Sequence, residues 1–235
     1  MAMKMLLDFL YPKTCPGCDN VFCNGGTFCE DCVKKIIYIN DSYCLKCGKP
    51  IEDKTKELCF DCTKRRRIFD EHRAVYVYKG AVKHGMYSFK YSNKRFYGAL
   101  FARDLVLKNY EWLNALNVDA IVPIPMYRPK QKKRGYNQAE ILANKISKMI
   151  NVPVDKRILQ RCKNTLPMKN LNDAQRRINL ENAFICKEFN VEYSRLLLID
   201  DIFTTGATFD SAAAVVKAHG VKKVYCISVC VGMGS

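Results

Sequence analysis

The spacing of apolar and polar residues changes near residue 67. After that point, short apolar runs alternate with stretches that have helical spacing. The pattern predicts strands at 73–80, 119–125, 183–188, 195–201 and 223–232, and helices at 137–150, at 208–220 and in two pieces of 81–110 around "YSNK". Alternating strands and helices predict an α/β fold with a mainly parallel sheet and helices on both faces. Such folds bind ligands beyond the carboxyl ends of their strands.

Residues 1–67 are organised by cysteines rather than by apolar periodicity. Nine of the thirteen cysteines lie between positions 15 and 62, and eight of them form four Cys-x-x-Cys pairs. Two thiolates in one tight turn face the same metal, and two such turns complete a tetrahedron. Disulfides or redox motifs are the alternative, but four redox pairs in a row without a thioredoxin-like pattern disfavour it. We therefore predict two domains, a small double zinc ribbon (1–67) and the α/β domain (68–235).

The cysteine pairs can be assigned to two zinc ions in two ways. Ten residues separate the first two pairs and eleven separate the last two, which favours sequential pairing over a cross-braced scheme. The sequential sets are Cys15, Cys18, Cys29 and Cys32 for one zinc, and Cys44, Cys47, Cys59 and Cys62 for the other. Four thiolates leave no open coordination position, so both ions are expected to be structural.

A formal net charge of +16 predicts contact with a polyanion, although charge alone does not name it. The cations cluster at 127–135 and in "KRRR", whose residues are candidate nucleic-acid contacts: Lys64, Arg65, Arg66 and Arg67. The first residues are too short and too interrupted an apolar patch for a signal peptide, and no run is long enough to span a bilayer. We expect a cytoplasmic protein.

The stretch "LLLIDDIFTTGATFDS" (196–211) places two acids, Asp200 and Asp201, at the end of an apolar strand. A loop of small, hydroxyl-bearing residues follows, and Thr208 is the expected N-cap of the next helix. Backbone N–H groups, hydroxyls and the helix dipole favour phosphate at such a turn. Paired carboxylates beside a phosphate suit a ligand with ribose hydroxyls or a divalent cation. A ligand-free strand–turn–helix is the alternative, but it leaves the paired acids unexplained.

The segment "LLLIDDIFTTGAT" resembles the phosphoribosyl pyrophosphate (PRPP) motif of type I phosphoribosyltransferases. Nearly the whole chain resembles the ComF family, through the cysteine pairs, "FKYSNKR", "VPIPMYRPKQKKRGYNQAEILA" and "TLPMKNLNDAQRRINLENAF". One departure is Met168, at a position where that family usually has Gln. The resemblance implies a type I phosphoribosyltransferase-like fold behind the zinc ribbons.

The resemblance also implies a ligand site for PRPP with Mg²⁺. The residues that correspond to its PRPP-binding motif are Asp200, Asp201, Thr204, Thr205, Gly206, Ala207 and Thr208. Candidates for a pyrophosphate loop are Arg128, Lys130, Lys132, Lys133 and Arg134, although so dense a basic run equally suits a nucleic-acid surface. No catalytic residue is identified, and the isolated His72, His84 and His219 are expected at the surface or at helix ends.

Three functions remain open at this point. The resemblance implies a cytosolic role in the uptake of single-stranded DNA during natural transformation, beside a DEAD-type helicase. The intact PRPP motif also allows an active phosphoribosyltransferase whose acceptor is unknown. A third possibility is a regulator that uses the pocket as a ligand sensor and the ribbons for protein contacts. We favour the first.

Overall fold

A computed structural model describes residues 13–22, 25–162, 183–186 and 192–233. The ninth cysteine of the N-terminal region, Cys23, and the departure from the family pattern at Met168 lie outside this part of the chain. The described helices are α1 (Glu30–Val33), α2 (Phe60–Lys64), α3 (Gly80–Tyr91), α4 (Tyr97–Lys108), α5 (Tyr110–Ala115), α6 (Arg128–Arg134), α7 (Gln138–Ile150) and α8 (Ala207–Ala218). The strands are β1 (Glu71–Arg73), β2 (Tyr76–Val77), β3 (Ala120–Pro123), β4 (Leu159–Arg161), β5 (Phe184–Cys186), β6 (Arg195–Phe203) and β7 (Lys223–Val231).

The main sheet has five strands in the order β1-β7-β6-β3, with β2 also pairing with β7, and every pairing in it is parallel. Strands β4 and β5 form a separate antiparallel pair. The predicted α/β fold with a mainly parallel sheet is confirmed. The single strand predicted at 73–80 is wrong, because the chain forms two short strands, interrupted at Ala74 and Val75.

Strand β6 lies between β7 and β3 and contributes to two apolar cores. Leu197 and Ile199 belong to the core that contains buried residues of α3, α4 and α7, whereas Leu196 and Leu198 belong to the core that contains those of α8. All four leucine and isoleucine side chains are fully buried. Because side chains alternate across a strand, these two cores lie on opposite faces of the sheet, so helices cover both faces.

The cysteine-rich region packs on both faces as well. Cys15 and Cys32 belong to the first core, and Cys44, Cys47 and Cys62 belong to the second. Each ribbon therefore shares apolar contacts with the α/β part of the chain, and the boundary between residues 67 and 68 stays a prediction.

Two local expectations near the phosphate loop are corrected. Strand β6 does not end at Asp201 but continues to Phe203, where it still pairs with Val231. The N-cap of α8 is Gly206 rather than Thr208, so the cap lies two residues earlier than expected and Ala207 is the first residue of the helix. Gly206 has a left-handed φ of 81°, and a Cβ there would lie 2.7 Å from the Phe203 ring. Both features require glycine at this turn.

Two further expectations need correction. Residues 128–134 form helix α6 rather than a loop, with proline in the first turn and the left-handed Gly135 (φ 84°) at its end. His72 is not at the surface: it is buried in β1, where its ring nitrogens lie 2.7 Å from the Cys47 carbonyl oxygen and 2.9 Å from Ser228 Oγ. Among the helices described, none combines the length and the apolar character needed to cross a bilayer.

Candidate functional site

The first four cysteines form one thiol cluster. The Sγ atoms of Cys15, Cys18, Cys29 and Cys32 all lie within 4.8 Å of one another, and Cys18 and Cys29 are 3.7 Å apart. In a tetrahedral zinc site with Zn–S bonds of about 2.3 Å, neighbouring sulfurs are about 3.8 Å apart. The backbone N–H groups of Gly17 and Cys29 donate to Cys15 Sγ, as a thiolate ligand requires. The thiols therefore fit a closed zinc site.

The second cluster repeats the first. Cys44, Cys47, Cys59 and Cys62 also lie within 4.8 Å of one another, with Cys47 and Cys59 3.6 Å apart. In each ribbon the third cysteine is the N-cap of a short helix with nearly the same backbone angles: φ −66° and ψ 163° at Cys29, φ −72° and ψ 161° at Cys59. The sequential pairing is confirmed. Each site has four thiolates and no open position, which suits structural zinc.

The paired acids lie near the carboxyl end of β6. Strand alternation directs Asp200 and Asp201 to opposite faces of the sheet. On one face, Lys90 Nζ of helix α3 lies 2.8 Å from Asp201 Oδ1, with both side chains largely buried. Burial alone would lower the pKa of Lys90, but the Asp201 carboxylate beside it raises the pKa instead. Lys90 is therefore a charged ammonium group that neutralises one of the two acids.

Asp200 has a different environment. Burial, followed by repulsion from Asp201, raises the pKa of Asp200 to about 7. The Asp201 backbone N–H donates to Asp200 Oδ1 at 2.8 Å, and the positive charges of Lys90 and Arg161 partly offset the upward shift. Arg161 is at the end of β4 and is itself partly buried. The acid pair thus has a cation from each side of the sheet.

The loop after β6 turns directly into helix α8. Thr205 Oγ1 accepts a 3.4 Å hydrogen bond from the backbone N–H of Ala207 at the start of that helix. Thr204 is exposed, whereas Thr205, Ala207 and Thr208 are partly exposed. The seven motif residues are therefore brought together at one end of the sheet, with backbone N–H groups and hydroxyls beside two carboxylates.

The buried Arg67 side chain contacts this loop by hydrogen bonds. Its Nη1 donates to the Thr205 carbonyl oxygen at 2.7 Å and to Asp210 Oδ2 at 3.0 Å. The guanidinium also lies 6.0 Å from the Phe69 and Phe203 ring centroids. Only 7% of Arg67 is exposed. Arg67 therefore leaves the set of candidate nucleic-acid contacts, whereas Lys64 and Arg66 are exposed and Arg65 is partly exposed.

Helix α6 carries the predicted pyrophosphate-binding cations, and one of them, Lys130, lies near Arg161. Partial burial, followed by repulsion from Arg161 and Arg134, lowers the pKa of Lys130. Arg161 is in turn attracted by Asp200. Lys130 therefore lies near both Arg134 and Arg161, and these three residues are called the cation cluster. Arg161 is the member of the cluster that lies near the acid pair. The remaining candidates, Arg128, Lys132 and Lys133, are exposed on α6.

Sequence reasoning did not assign Lys90 or Arg161 to the site. Lys90 could have been suspected, because it interrupts the buried face of α3 directly after Phe89. Arg161 offered no comparable signal, since its position depends on the pairing of β4 with β5, which are separated by more than twenty residues.

Known proteins are similar both to the cysteine-rich region and to the α/β part of this chain. Residues 6–63 match the double zinc ribbon domain family. The chain is 30% identical to "Competence protein F" of Haemophilus influenzae, over 89% of this chain and 92% of that protein. It is 28% identical to "Competence protein ComFC" of Bacillus subtilis, over 82% and 78%. It is 24% identical to "DNA utilization protein YhgH" of Escherichia coli K12, over 80% and 83%.

The parallel sheet and the two four-thiolate sites define an α/β protein with an N-terminal double zinc ribbon. The extent of the similarity to competence protein F goes further, because it covers both parts of the chain. The chain belongs to the ComF family of competence proteins.

Proposed function

We propose that this protein takes part in DNA uptake and handling during natural transformation. We also propose that the acid pair and the turn 204–208 at the end of β6, hereafter the crevice, bind Mg²⁺ and PRPP or a related phosphorylated ribose. The observation that carries the ligand assignment is the acid pair, Asp200 and Asp201, beside the hydroxyl-lined turn 204–208. The names of the relatives, competence and DNA utilization proteins, support the broader role.

The two halves of the crevice suit different parts of such a ligand. The turn 204–208 offers the backbone N–H groups at the start of α8 and the threonine hydroxyls to a 5-phosphate. Asp200 and Asp201 would accept from the ribose hydroxyls and hold Mg²⁺ through its waters, because Mg²⁺ retains water and uses few protein carboxylates. The cation cluster of Lys130, Arg134 and Arg161 would neutralise pyrophosphate.

A surface next to the crevice suits single-stranded DNA. Tyr87 and Tyr91 on α3 are 60% and 63% exposed, their ring centroids are 5.0 Å apart, and the Arg134 guanidinium lies 4.9 Å from the Tyr91 ring. Exposed rings with cations bind single strands by base stacking and phosphate contact. Lys64, Arg65 and Arg66 would add phosphate contacts. A DEAD-type helicase partner and a cytoplasmic location are also part of this proposal, and they rest on the family resemblance.

The second candidate function is an active phosphoribosyltransferase with an unknown acceptor. The cation cluster favours it, because positive charge near a departing pyrophosphate stabilises an oxocarbenium-like transition state. Release of pyrophosphate from PRPP upon addition of nucleobases, amines or oligonucleotides would support this activity, and silence across such a panel would leave a binding site without turnover.

Calorimetric titration of PRPP in the presence of Mg²⁺ tests the ligand assignment. We expect saturable binding that Asp200→Asn/Asp201→Asn abolishes, whereas Glu111→Gln, at an exposed position on α5, has no effect. Equal binding by the double variant would contradict the proposed site.

Titration with a dT oligonucleotide at several salt concentrations tests the DNA surface. Tyr87→Ala/Tyr91→Ala should weaken binding about tenfold or more, because each stacked base contributes about 1–3 kcal/mol. Tyr110→Ala is the control, since Tyr110 is similarly exposed (55%) but lies on α5. Affinity that does not fall with added salt would contradict phosphate contact.

A further inference from the structure

A cavity lies between the second zinc ribbon and the edge of the sheet. Its volume is about 780 Å³, within the range of pockets that hold small ligands. Its lining includes Ser42, Tyr43, Lys54, Arg73, Lys108 and Asn109, none of which belongs to the β6 crevice. Arg73 is in β1, an edge strand separated from β6 by β7.

Arg73 is held in place by two aromatic rings. Its guanidinium lies 5.4 Å from the Tyr43 ring centroid and 5.0 Å from the Trp112 ring centroid. Trp112 is itself fixed, because its Nε1–H donates to Glu71 Oε2 at 2.7 Å. Cation–π contacts with the two rings orient the planar guanidinium and do not use the N–H groups at its edge, which stay available to a ligand.

The guanidinium lacks an acceptor within the part of the chain that the structure describes. There, the contacts of the Arg73 side chain are the two rings, with neither a carboxylate nor a carbonyl oxygen bonded to its N–H groups. A partly buried guanidinium whose N–H groups are not bonded to an acceptor suits an anionic ligand, because two of its N–H groups can donate to two oxygens of a phosphate.

The rest of the cavity has the matching charge. Lys54 and Lys108 also line it, and Lys108 Nζ lies over the Tyr38 ring at 5.7 Å. The acidic residue in the lining is Asp41, so three cations face one carboxylate. The excess positive charge excludes a cationic ligand and favours an anion, as does the net charge of +16 for the whole chain.

We propose that this cavity is a phosphate-binding site, in which the N–H groups of Arg73 bind the phosphate oxygens of a nucleotide or of a single-stranded nucleic acid while Lys54 and Lys108 balance the charge. The volume accommodates a nucleotide, and the site operates independently of the acid pair.

The chain contains a single tryptophan, and it is the residue that covers Arg73. Trp112 fluorescence therefore reports on occupancy of this cavity directly. The full-length, zinc-loaded protein is titrated with inorganic phosphate, dTMP, and a dT oligonucleotide. We expect a saturable change in fluorescence with dTMP or with the oligonucleotide. Comparison of the dTMP titration with the oligonucleotide titration shows whether the site binds the phosphate of a free nucleotide or that of a strand.

Variants separate this site from the crevice. Arg73→Gln should weaken binding about tenfold or more, because it removes the charge-assisted hydrogen bonds to the phosphate. Lys54→Glu is the second variant, because its exposed side chain can be inverted in charge without loss of packing, and it should also weaken binding. Arg157→Gln is the matched control, with a side chain that is 88% exposed on another surface.

Asp200→Asn/Asp201→Asn should leave the Trp112 response intact, so failure of the PRPP assignment and failure of this proposal are distinguishable. The proposal would be overturned if none of the three phosphate ligands gave a saturable change in Trp112 fluorescence. An unchanged response in folded Lys54→Glu and Arg73→Gln proteins would overturn it as well.

Discussion

Arg67 Nη1 donates a 2.7 Å hydrogen bond to the carbonyl oxygen of Thr205, which links the second zinc ribbon to the turn after β6. Arg67 follows shortly after Cys62, a ligand in the second thiol cluster. The adjoining residue adds a second tie, because the Ile68 backbone N–H donates to Asp210 Oδ1 at 2.8 Å. The proposed phosphate turn is thus tied by two hydrogen bonds to the segment that follows the second thiol cluster.

Arg67→Gln should therefore weaken PRPP binding about tenfold and destabilise the protein by about 2–3 kcal/mol, because it removes two buried charge-assisted hydrogen bonds. Calorimetry measures the affinity, and urea unfolding measures the stability. Arg66→Gln is the control, since the neighbouring arginine is exposed. Equal affinities in the Arg67 variant and wild type would show that the turn keeps its shape without this contact.

Zinc content provides a second test, by elemental analysis of the purified protein. We expect two zinc ions per chain, one in Cys44→Ser, and two in Cys162→Ser, whose exposed thiol lies outside both clusters. Chelation should unfold the ribbon region, because each four-thiolate site contributes on the order of 10 kcal/mol to a segment with little apolar core. A content of two ions in Cys44→Ser would contradict the assigned ligand set.

The elements that sequence predicted best are those with strong local patterns. The four Cys-x-x-Cys pairs predicted the zinc ligands, because each turn holds two thiols, and the nearly equal lengths of the linking segments favoured the sequential pairing over the cross-braced one. Strand β6 is equally clear, since Leu196 to Ile199 are apolar without interruption, as a strand buried on both faces must be. The acid pair follows from that strand.

What sequence did not predict depends on tertiary contacts. Arg67 looks like its neighbours in "KRRR", and only the packing of the ribbon on α8 places it inside the protein. His72 looks isolated in sequence, yet its partners are Cys47 and Ser228, which are distant along the chain. Lys90 becomes a site residue because α3 packs on the face to which Asp201 points. Periodicity carries no information on these pairings.

The Lys90–Asp201 ion pair leads to a third prediction. Lys90→Met should destabilise the protein by about 2–3 kcal/mol, because it leaves a largely buried carboxylate beside Asp200 without its cation. Lys90→Met/Asp201→Asn should recover much of that loss, since the double variant has no unpaired charge at this position. Lys83→Met, at an exposed position on the same helix, is the control. The free energies of unfolding of Lys90→Met, Asp201→Asn and the double variant are measured in urea. If the losses in the two single variants add up to the loss in the double variant, the ion pair is contradicted.

Asp200 gives the protein a specific dependence of stability on pH. Its pKa is raised from 3.8 to about 7 by burial and by Asp201, so between these values the native state holds a proton that the unfolded chain has released. The contribution of this group to the free energy of unfolding is therefore highest below about pH 4 and falls as the pH rises through about 7.

Asp200→Asn removes this dependence on pH. The Tm of the variant should exceed that of wild type by several degrees at about pH 8, and the difference should vanish towards about pH 4. The measurement is thermal unfolding at a series of pH values without ligand, and Glu111→Gln, exposed on α5, should follow wild type throughout. Parallel Tm curves for wild type and Asp200→Asn would mean that Asp200 is ionised at neutral pH at no cost, and the crevice would then be more hydrated than its contacts with Lys90 and Arg161 indicate.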